Sequence, residues 1–505
     1  VRLNSFSSGG FSLSKSNAQE LVQSSVRQLL TSTSTKTSNS TFLTQKIWHQ
    51  SIMEGLVQSI QTASDIPFGV VASTEDMNVL IRNIAQGSVD GMSQACTTPT
   101  EFKESLELVT TSVVRNIARV AADAITSVPT TDLSPLQVAA SSGLLFGLGA
   151  LPSTLSNRNV LVPDSAGLTS LISTVCKAVT ECVSESTSLG EMKSVDATYD
   201  MALTLQSLSK TMVSEAAVIS SSTSFWLVGG GVGVSDLVSA STAAVLSGVA
   251  GSQISSSSER QLLIRRVSRG VVLGLMNQGD ALTGESFSNA LSSIVSALNG
   301  VADSDVSLLA FFAANATTGI MEALSDQKEN VNTALSSQKI VDYVSTTGKV
   351  MIQECGVAAN GFPVSVLSST LSGVALSLGQ NVVNVPQNQS VASSLYSDIT
   401  SSLILGMRGK SSAASQVATQ YFNTSGVGAS GLLTVLGSTM ATAAGNPTYF
   451  SSSQTWSPTL MKSSIESVVT ELMQSLPSLS TESSVDAFVL AKSCVAGVVT
   501  GSIGS

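Results

Sequence analysis

A lysine one helical turn from a serine can take the serine's proton, and Ser-x-x-Lys occurs at Ser12/Lys15, Ser207/Lys210 and Ser336/Lys339. Serine beta-lactam enzymes combine this pair with Ser-Asp-Asn and Lys-Thr-Gly, and neither tripeptide is present. No Gly-x-Ser-x-Gly occurs, and the one histidine, His49, follows Trp48 in a stretch of helical spacing. It reads as a surface or packed histidine rather than a triad base. The run Gly229-Gly230-Gly231-Val232-Gly233 has neither the G-x-G-x-x-G spacing of a dinucleotide loop nor the Lys-Ser/Thr of a phosphate loop, so it reads as a turn. Acidic residues gather at helix starts, as in Thr74-Glu75-Asp76, where they complement the helix dipole rather than forming an acid–base pair. No catalytic residue, no cofactor and no enzymatic activity are expected.

The five cysteines, Cys96, Cys176, Cys182, Cys355 and Cys494, contain no C-x-x-C, and with a single histidine no zinc spacing can be assembled. No metal site is expected. Cys176 and Cys182 are about 240° apart around a helix and cannot easily pair within it, which leaves core thiols and longer-range disulfides both open. Four N-x-S/T sequons, at Asn39, Asn315, Asn388 and Asn423, are the glycosylation candidates. Asn315 falls about 180° from an apolar stripe through Val306, Leu309, Ala313, Thr317, Ile320 and Leu324, so a glycan has room there. The sequons point to an extracellular or cell-surface location.

The net charge of −10 and the sequence pI of 4.7 argue against nucleic acid or an anionic membrane as partner. The basic cluster Arg260, Arg265, Arg266 and Arg269 reads as a solvated helix face; Arg266-Val267-Ser268-Arg269 also has the form of a processing site. Charged residues are only 11% of the chain and aromatics 4%, against about 25% charged in ordinary domains. The polar surface is therefore made of hydroxyls and amides, with little repulsion between copies, which suits assembly or a glycan coat.

The elements that must position these groups are helices. A hexad returns along the chain: a small residue, aliphatics, a second small residue four positions on, then Leu or Met. It is seen at Ser51 to Leu56, Gly87 to Met92, Gly143 to Leu148, Gly270 to Leu275, Gly319 to Leu324, Gly373 to Leu378 and Ser402 to Met407, and more loosely at Gly497 to Gly501. Small residues at i and i+4 share one helix face and let a neighbouring helix come close. The helix-packing small residues are accordingly Gly87, Gly91, Gly143, Gly147, Gly270, Gly274, Gly319, Ala323, Gly497 and Gly501. Flanking Ser, Gln, Asp and Arg favour close packing of water-soluble helices over membrane dimerisation. The most apolar window, Leu133 to Asn157, contains Pro135, Gln137 and Pro152 and reads as a buried helix, with no window of 18 strongly apolar residues.

Apolar residues keep helical spacing almost throughout. Phe102, Leu106, Val109, Val113, Ile117, Val120 and Ala124 make a helix from about Glu101 to Ile125, stopped by Pro129. Val485, Phe488, Ala491, Val495 and Val498 mark the last helix. Strand alternation is confined to Phe225-Trp226-Leu227-Val228. Two-helix units of about 50 residues fit the hexads at Gly270, Gly319 and Gly373. The fold expected is all-α, with degenerate helical-hairpin repeats forming a solenoid or elongated helical array. A frayed Ser/Gly-rich start, 1–16, precedes helical repeat regions over 17–228, 234–380 and 390–505, and the chain starts at Val1 as a mature or excised piece would.

The alternation of Ser/Thr-rich loops such as Ser127-Val128-Pro129-Thr130-Thr131-Asp132-Leu133-Ser134 with helices such as Ser170-Leu171-Ile172-Ser173-Thr174-Val175 resembles the helical stretches of large extracellular polycystin-like, REJ-type proteins. The resemblance is one of style, over about half the chain. The autoproteolysis motif of that family needs His before Leu-Ser/Thr; His49 precedes Gln50, so that activity is not implied. The function expected is an extracellular structural protein, or a segment of one, assembling into a fibre, coat or appendage. The alternative that the resemblance implies is the stalk or ligand-binding ectodomain of a polycystin-like receptor or channel. Partners expected are further copies or other structural proteins, with a membrane reached only through another part of the chain.

Overall fold

The computed structural model describes residues 23–29, 74–117, 133–151, 155, 157–188, 197–223, 227, 232–251, 257–279, 282–303, 305–326, 337–358, 370–371, 373, 389–408, 428–445 and 458–503. All regular elements among these residues are helices. The long ones are α1 (Thr74–Ala95), α2 (Pro99–Ser112), α3 (Leu133–Gly149), α4 (Ser165–Ser188), α5 (Ala197–Thr223), α6 (Val234–Gly251) and α7 (Ser257–Met276). They continue with α8 (Gly284–Ala302), α9 (Val306–Asp326), α10 (Ser337–Ala358), α11 (Gln389–Arg408), α12 (Gly428–Gly445), α13 (Pro458–Ser483) and α14 (Ala487–Ile503).

Local sequence sets the helix ends. Thr98 caps α2 by accepting from Glu101 N at 3.2 Å, Pro99 stands at the first helical position, and Glu101 reaches back to accept from Thr97 N at 3.0 Å. Thr-Pro-Thr-Glu thus works as a variant of the capping box, its glutamate reaching the residue before the cap, and α2 begins before the Glu101 expected. At Val113–Ile117 it passes into one π-helical turn, and the expected continuation to Ile125 lies outside the described residues. Asp164 opens α4 by accepting from Gly167 N at 2.7 Å. Thr283 caps α8, and that helix closes at Asp303, in the left-handed region at φ 47°. Asp305 then opens α9 through Ser307 N and Leu308 N.

A serine- and threonine-rich chain must bury hydroxyls, and eight of those buried here close on their own helices. Ser141, Thr180, Ser209, Thr223, Ser241, Thr317, Thr347 and Thr400 are each buried and each donate to the carbonyl four residues back at 2.7–2.8 Å. A buried hydroxyl costs stability only when its bond is missing. With the bond made locally, Ser and Thr serve as small core residues that ask nothing of the opposite helix.

The chain divides into two compact units, Val1–Ser255 and Ser256–Ser505. In the first, each helix packs chiefly on the helix two along: α1 on α3 and α3 on α5 in one row, α2 on α4 and α4 on α6 in the other. Lighter contacts join the rows. The glycine run at 229–233 is not a unit boundary, because α6, which follows it, packs on α4 and α5. In the second unit α7 packs on α9; α8 on α10, α10 on α11 and α11 on α13 make a second row, and α12 packs on α14. Stacking of alternate helices in two rows is the arrangement of a helical-hairpin repeat. The spacing is wider than the 50 residues expected: side-chain bonds between stacked helices join residues 57 to 74 apart.

Candidate interaction surface

Described hexads lie in the seams between stacked helices; Ser51 to Leu56 and most of Gly373 to Leu378 fall outside the described residues. In α3, a methyl group added to Gly143 would stand 2.8 Å from Ala85 Cβ of α1, with the Arg82 carbonyl closer still, and one added to Gly147 would stand 2.8 Å from Val89 Cβ. Gly319 of α9 sits over the Arg265 carbonyl of α7, Gly406 of α11 over that of Lys349 of α10, and Gly87 over that of Gln23. The α12–α14 seam is built from both sides: Gly497 and Gly501 rest on the carbonyls of Thr434 and Ser438, and Gly437 faces that of Cys494. A carbonyl this near an α-carbon makes a weak Cα–H···O contact, and any side chain would forbid it. Ala323, Gly91, Gly270 and Gly274 are buried as well.

Polar side chains pin the seams. Ser142 Oγ donates to Glu215 Oε1 at 2.6 Å, while Arg82 lies 3.6 Å from the same oxygen and 5.2 Å from the centroid of the Phe146 ring. Ser292 donates to Glu354 at 3.3 Å and Ser397 to Glu471 at 2.6 Å. Asp90 and Glu322 hold the same fourth place in their hexads. Glu322 pairs with Arg265 across the α7–α9 seam, and Asp90 accepts from Gln23 Nε2 at 3.5 Å with Arg27 nearby. An acid recurring at that place was a signal in the sequence, and it was passed over. Burial pushes the Asp90 carboxyl up to about 6 against the pull of Gln23 and Arg27.

The residues singled out for chemistry do not converge. Ser207 and Lys210 lie half-buried on α5, while Ser12, Lys15, Ser336 and His49 fall outside the described residues. Arg260, Arg265, Arg266 and Arg269 all lie half-buried on α7, not on a freely solvated face. Val267 and Ser268 between them are fully buried, which denies a processing protease the extended strand it needs. All five cysteines are buried and none is in a disulfide, so they are core thiols. Burial raises the thiols of Cys96, Cys176 and Cys355 to about 12. Among the described residues no group of three His, Cys, Asp or Glu side chains is placed to hold a metal.

Asn39, Asn388 and Asn423 lie outside the described residues. Asn315 is half-buried within α9, its amide donating to the Phe311 carbonyl at 2.8 Å, and the Thr317 of its sequon is fully buried. Among the described residues two helices, over Ser165–Ser184 and Val306–Leu324, are long and apolar enough to cross a membrane, and more than half of each is buried.

The last helix differs from the rest. The turn before it is set by Ser484 at φ 55°, by Ser480 Oγ donating to the Val485 carbonyl and by Asp486 accepting from Phe488 N at 2.7 Å. Helix α14 is apolar on every side with one charge, Lys492. Leu490, Cys494, Gly497, Val498 and Gly501 face α12 and α13. Of the apolar stripe expected for this helix, Val498 is buried while Phe488 and Val495 face outward. Phe488 is 85% exposed and Ile503 80%, with Val489, Val495 and Val499 near half.

No family model matches the chain, and no curated protein matches it. Among solved structures it is similar to one described as a circular tandem repeat protein with novel repeat topology and enhanced subunit contact surfaces, at 10% identity and a TM-score of 0.26, covering 93% of this chain and 99% of that one.

Proposed function

We propose that the chain is a structural protein, or a segment of one, whose stacked helices serve assembly at or outside the cell surface. The observation that carries this reading is the glycine seam. Helices are set at one close spacing by glycine against carbonyl, and the partly buried acids at the seams are engaged in holding them there. A polar inventory engaged in this way supports a scaffold better than a catalyst. Partners on this reading are further copies or other structural proteins. Electron microscopy of native material, without denaturation, is the test. Regular filaments or sheets are expected. Separate particles of one size would overturn the reading and favour the ectodomain of a receptor or channel.

A further inference from the structure

Two seams of the molecule place an acid at the same point and give it different partners. In both, a hexad opens on a glycine that rests on a backbone carbonyl, Gly319 on that of Arg265 and Gly87 on that of Gln23. In both, the fourth residue of the hexad is acidic, Glu322 in one and Asp90 in the other. A residue three places on from the glycine shares its helix face, so the acid meets the side chain of the residue beneath. Glu322 meets the Arg265 guanidinium and forms an ion pair. Asp90 meets the Gln23 amide, which carries no charge. Its Oδ2 accepts from Gln23 Nε2 at 3.5 Å, and its buried Oδ1 has no hydrogen-bond partner. The Asp90 residue is only 6% exposed, and Val26, one turn on from Gln23 in the helical segment 23–29, is fully buried. Among the described residues, the charge acting on Asp90 is Arg27 of the same segment. Helix α3, the main neighbour of α1, carries no charged residue, and the charges of α2, Glu101, Lys103, Glu104 and Glu107, leave Asp90 unshifted. Arg82, two turns back on α1 itself, is engaged with Glu215 and the Phe146 ring.

We propose that this seam is a pH-operated latch, with segment 23–29 docked on α1 while Asp90 carries its proton and released when the carboxyl ionises. The latch goes beyond the structural reading above and does not depend on it. A neutral carboxyl buried here costs about as much as one missing hydrogen bond, whereas a carboxylate with one oxygen unpartnered costs far more. The attraction of Arg27 offsets part of that cost, but burial outweighs it and raises the carboxyl to about 6. Helix α1 is held by its packing on α3, so the segment is the part that yields. Undocking lifts Gln23 off Asp90, lets water reach the carboxylate and returns it to its ordinary value of 3.8. The docked state thus holds the proton more tightly. Docking is strongest below 3.8 and weakens as pH rises to about 6, above which it falls no further. From about pH 4.5 to about pH 7.5 the full difference weakens docking roughly thirtyfold. The α7–α9 seam shows what would remove the response, an arginine in the place of Gln23.

The test is hydrogen–deuterium exchange of the full chain at about pH 4.5 and about pH 7.5, with rates corrected for the intrinsic effect of pH on amide exchange. Wild type is compared with Asp90→Asn and Gln23→Arg. In wild type, the protection of amides in 23–29 is expected to fall by about the factor above between the two conditions, while amides of α3, in the same unit, keep theirs. Asp90→Asn removes the ionisation and should give equal protection at both. Gln23→Arg supplies the partner that Glu322 has, and should raise protection at the higher pH toward the wild-type value at the lower. Each variant removes the response by a different route, so one still decides if the other misfolds. Equal protection of 23–29 in wild type at both conditions, or none at either, overturns the proposal. So does a fall that α3 shares, which would mean that the whole unit opens rather than the segment. A fall that persists in Asp90→Asn, or one undiminished in Gln23→Arg, overturns it as well.

Discussion

Replacing Gly319 by alanine sets two known effects against each other at one atom. In an exposed helix, alanine is about 1 kcal/mol better than glycine, because glycine gives up more backbone freedom on folding. At Gly319 the added methyl would stand 2.9 Å from the Arg265 carbonyl carbon and 3.1 Å from its Cα, with the oxygen closer still. These are backbone atoms, so no side-chain rotation relieves the clash. Regaining an ordinary separation of 3.4 Å or more requires α9 to move off α7 by on the order of 1 Å. That shift loosens the seam and stretches the Arg265–Glu322 pair. Overpacking of this kind costs about 1–3 kcal/mol, and the absence of a flexible neighbour puts Gly319 at the upper end. The net expectation is a destabilisation of about 2 kcal/mol. Gly300, in α8 of the same unit, has nothing within 4 Å of its added methyl. Gly300→Ala is therefore expected to stabilise by about 0.5–1 kcal/mol. Urea denaturation followed by circular dichroism reads both midpoints. If Gly319→Ala raised the midpoint as Gly300→Ala does, the close approach of α9 to α7 would be wrong, and the reading of the hexads with it.

Four further outcomes follow from other parts of the molecule. The Asp90 carboxyl is raised from 3.8 to about 6 in the folded chain, so the folded state favours its protonated form. That contribution, on the order of 2–3 kcal/mol, is complete below the unfolded value and is lost as pH rises toward and through about 6. Asp90→Asn should flatten the melting temperature across that window, and an unchanged pH profile would exclude Asp90 as its source. Thr317→Val, at a fully buried hydroxyl bonded 2.7 Å to the Ala313 carbonyl, should shift stability by less than about 1 kcal/mol. Leu291→Ala, in the fully buried core, should cost about 2–5 kcal/mol by the same melts. Finally, native protein should leave all five thiols unreacted with a thiol-specific disulfide reagent and release all five on unfolding, whereas fast reaction of any thiol in the native chain would contradict its burial.

Much of this architecture could be read from residue types alone. Capping residues such as Asp164 and the turn at Gly279 fix helix ends within a few positions, because a side chain or a positive φ there acts on its own neighbours. Small residues at i and i+4 announced close packing before any partner was known. Helix α2 shows the limit. Its apolar spacing runs on past Ile117, yet the backbone widens into a π turn at Val113, which spacing along a sequence does not encode. The basic run of α7 shows another: four arginines suggest a wet face, while Val267 and Ser268 between them are buried.

Sequence by itself determined that the chain is helical and that its helices approach closely at the hexads. Each of these depends on interactions within a turn or two. Tertiary structure decided which helix each glycine meets, since a glycine specifies closeness but not an address. It also set the spacing between stacked helices, whose bonded side chains stand 57 to 74 residues apart rather than about 50. On α14 it decided most. A helix apolar all round offers no preferred side, and the packing of Gly497 and Gly501 on α12 is what turned Phe488 and Val495 outward.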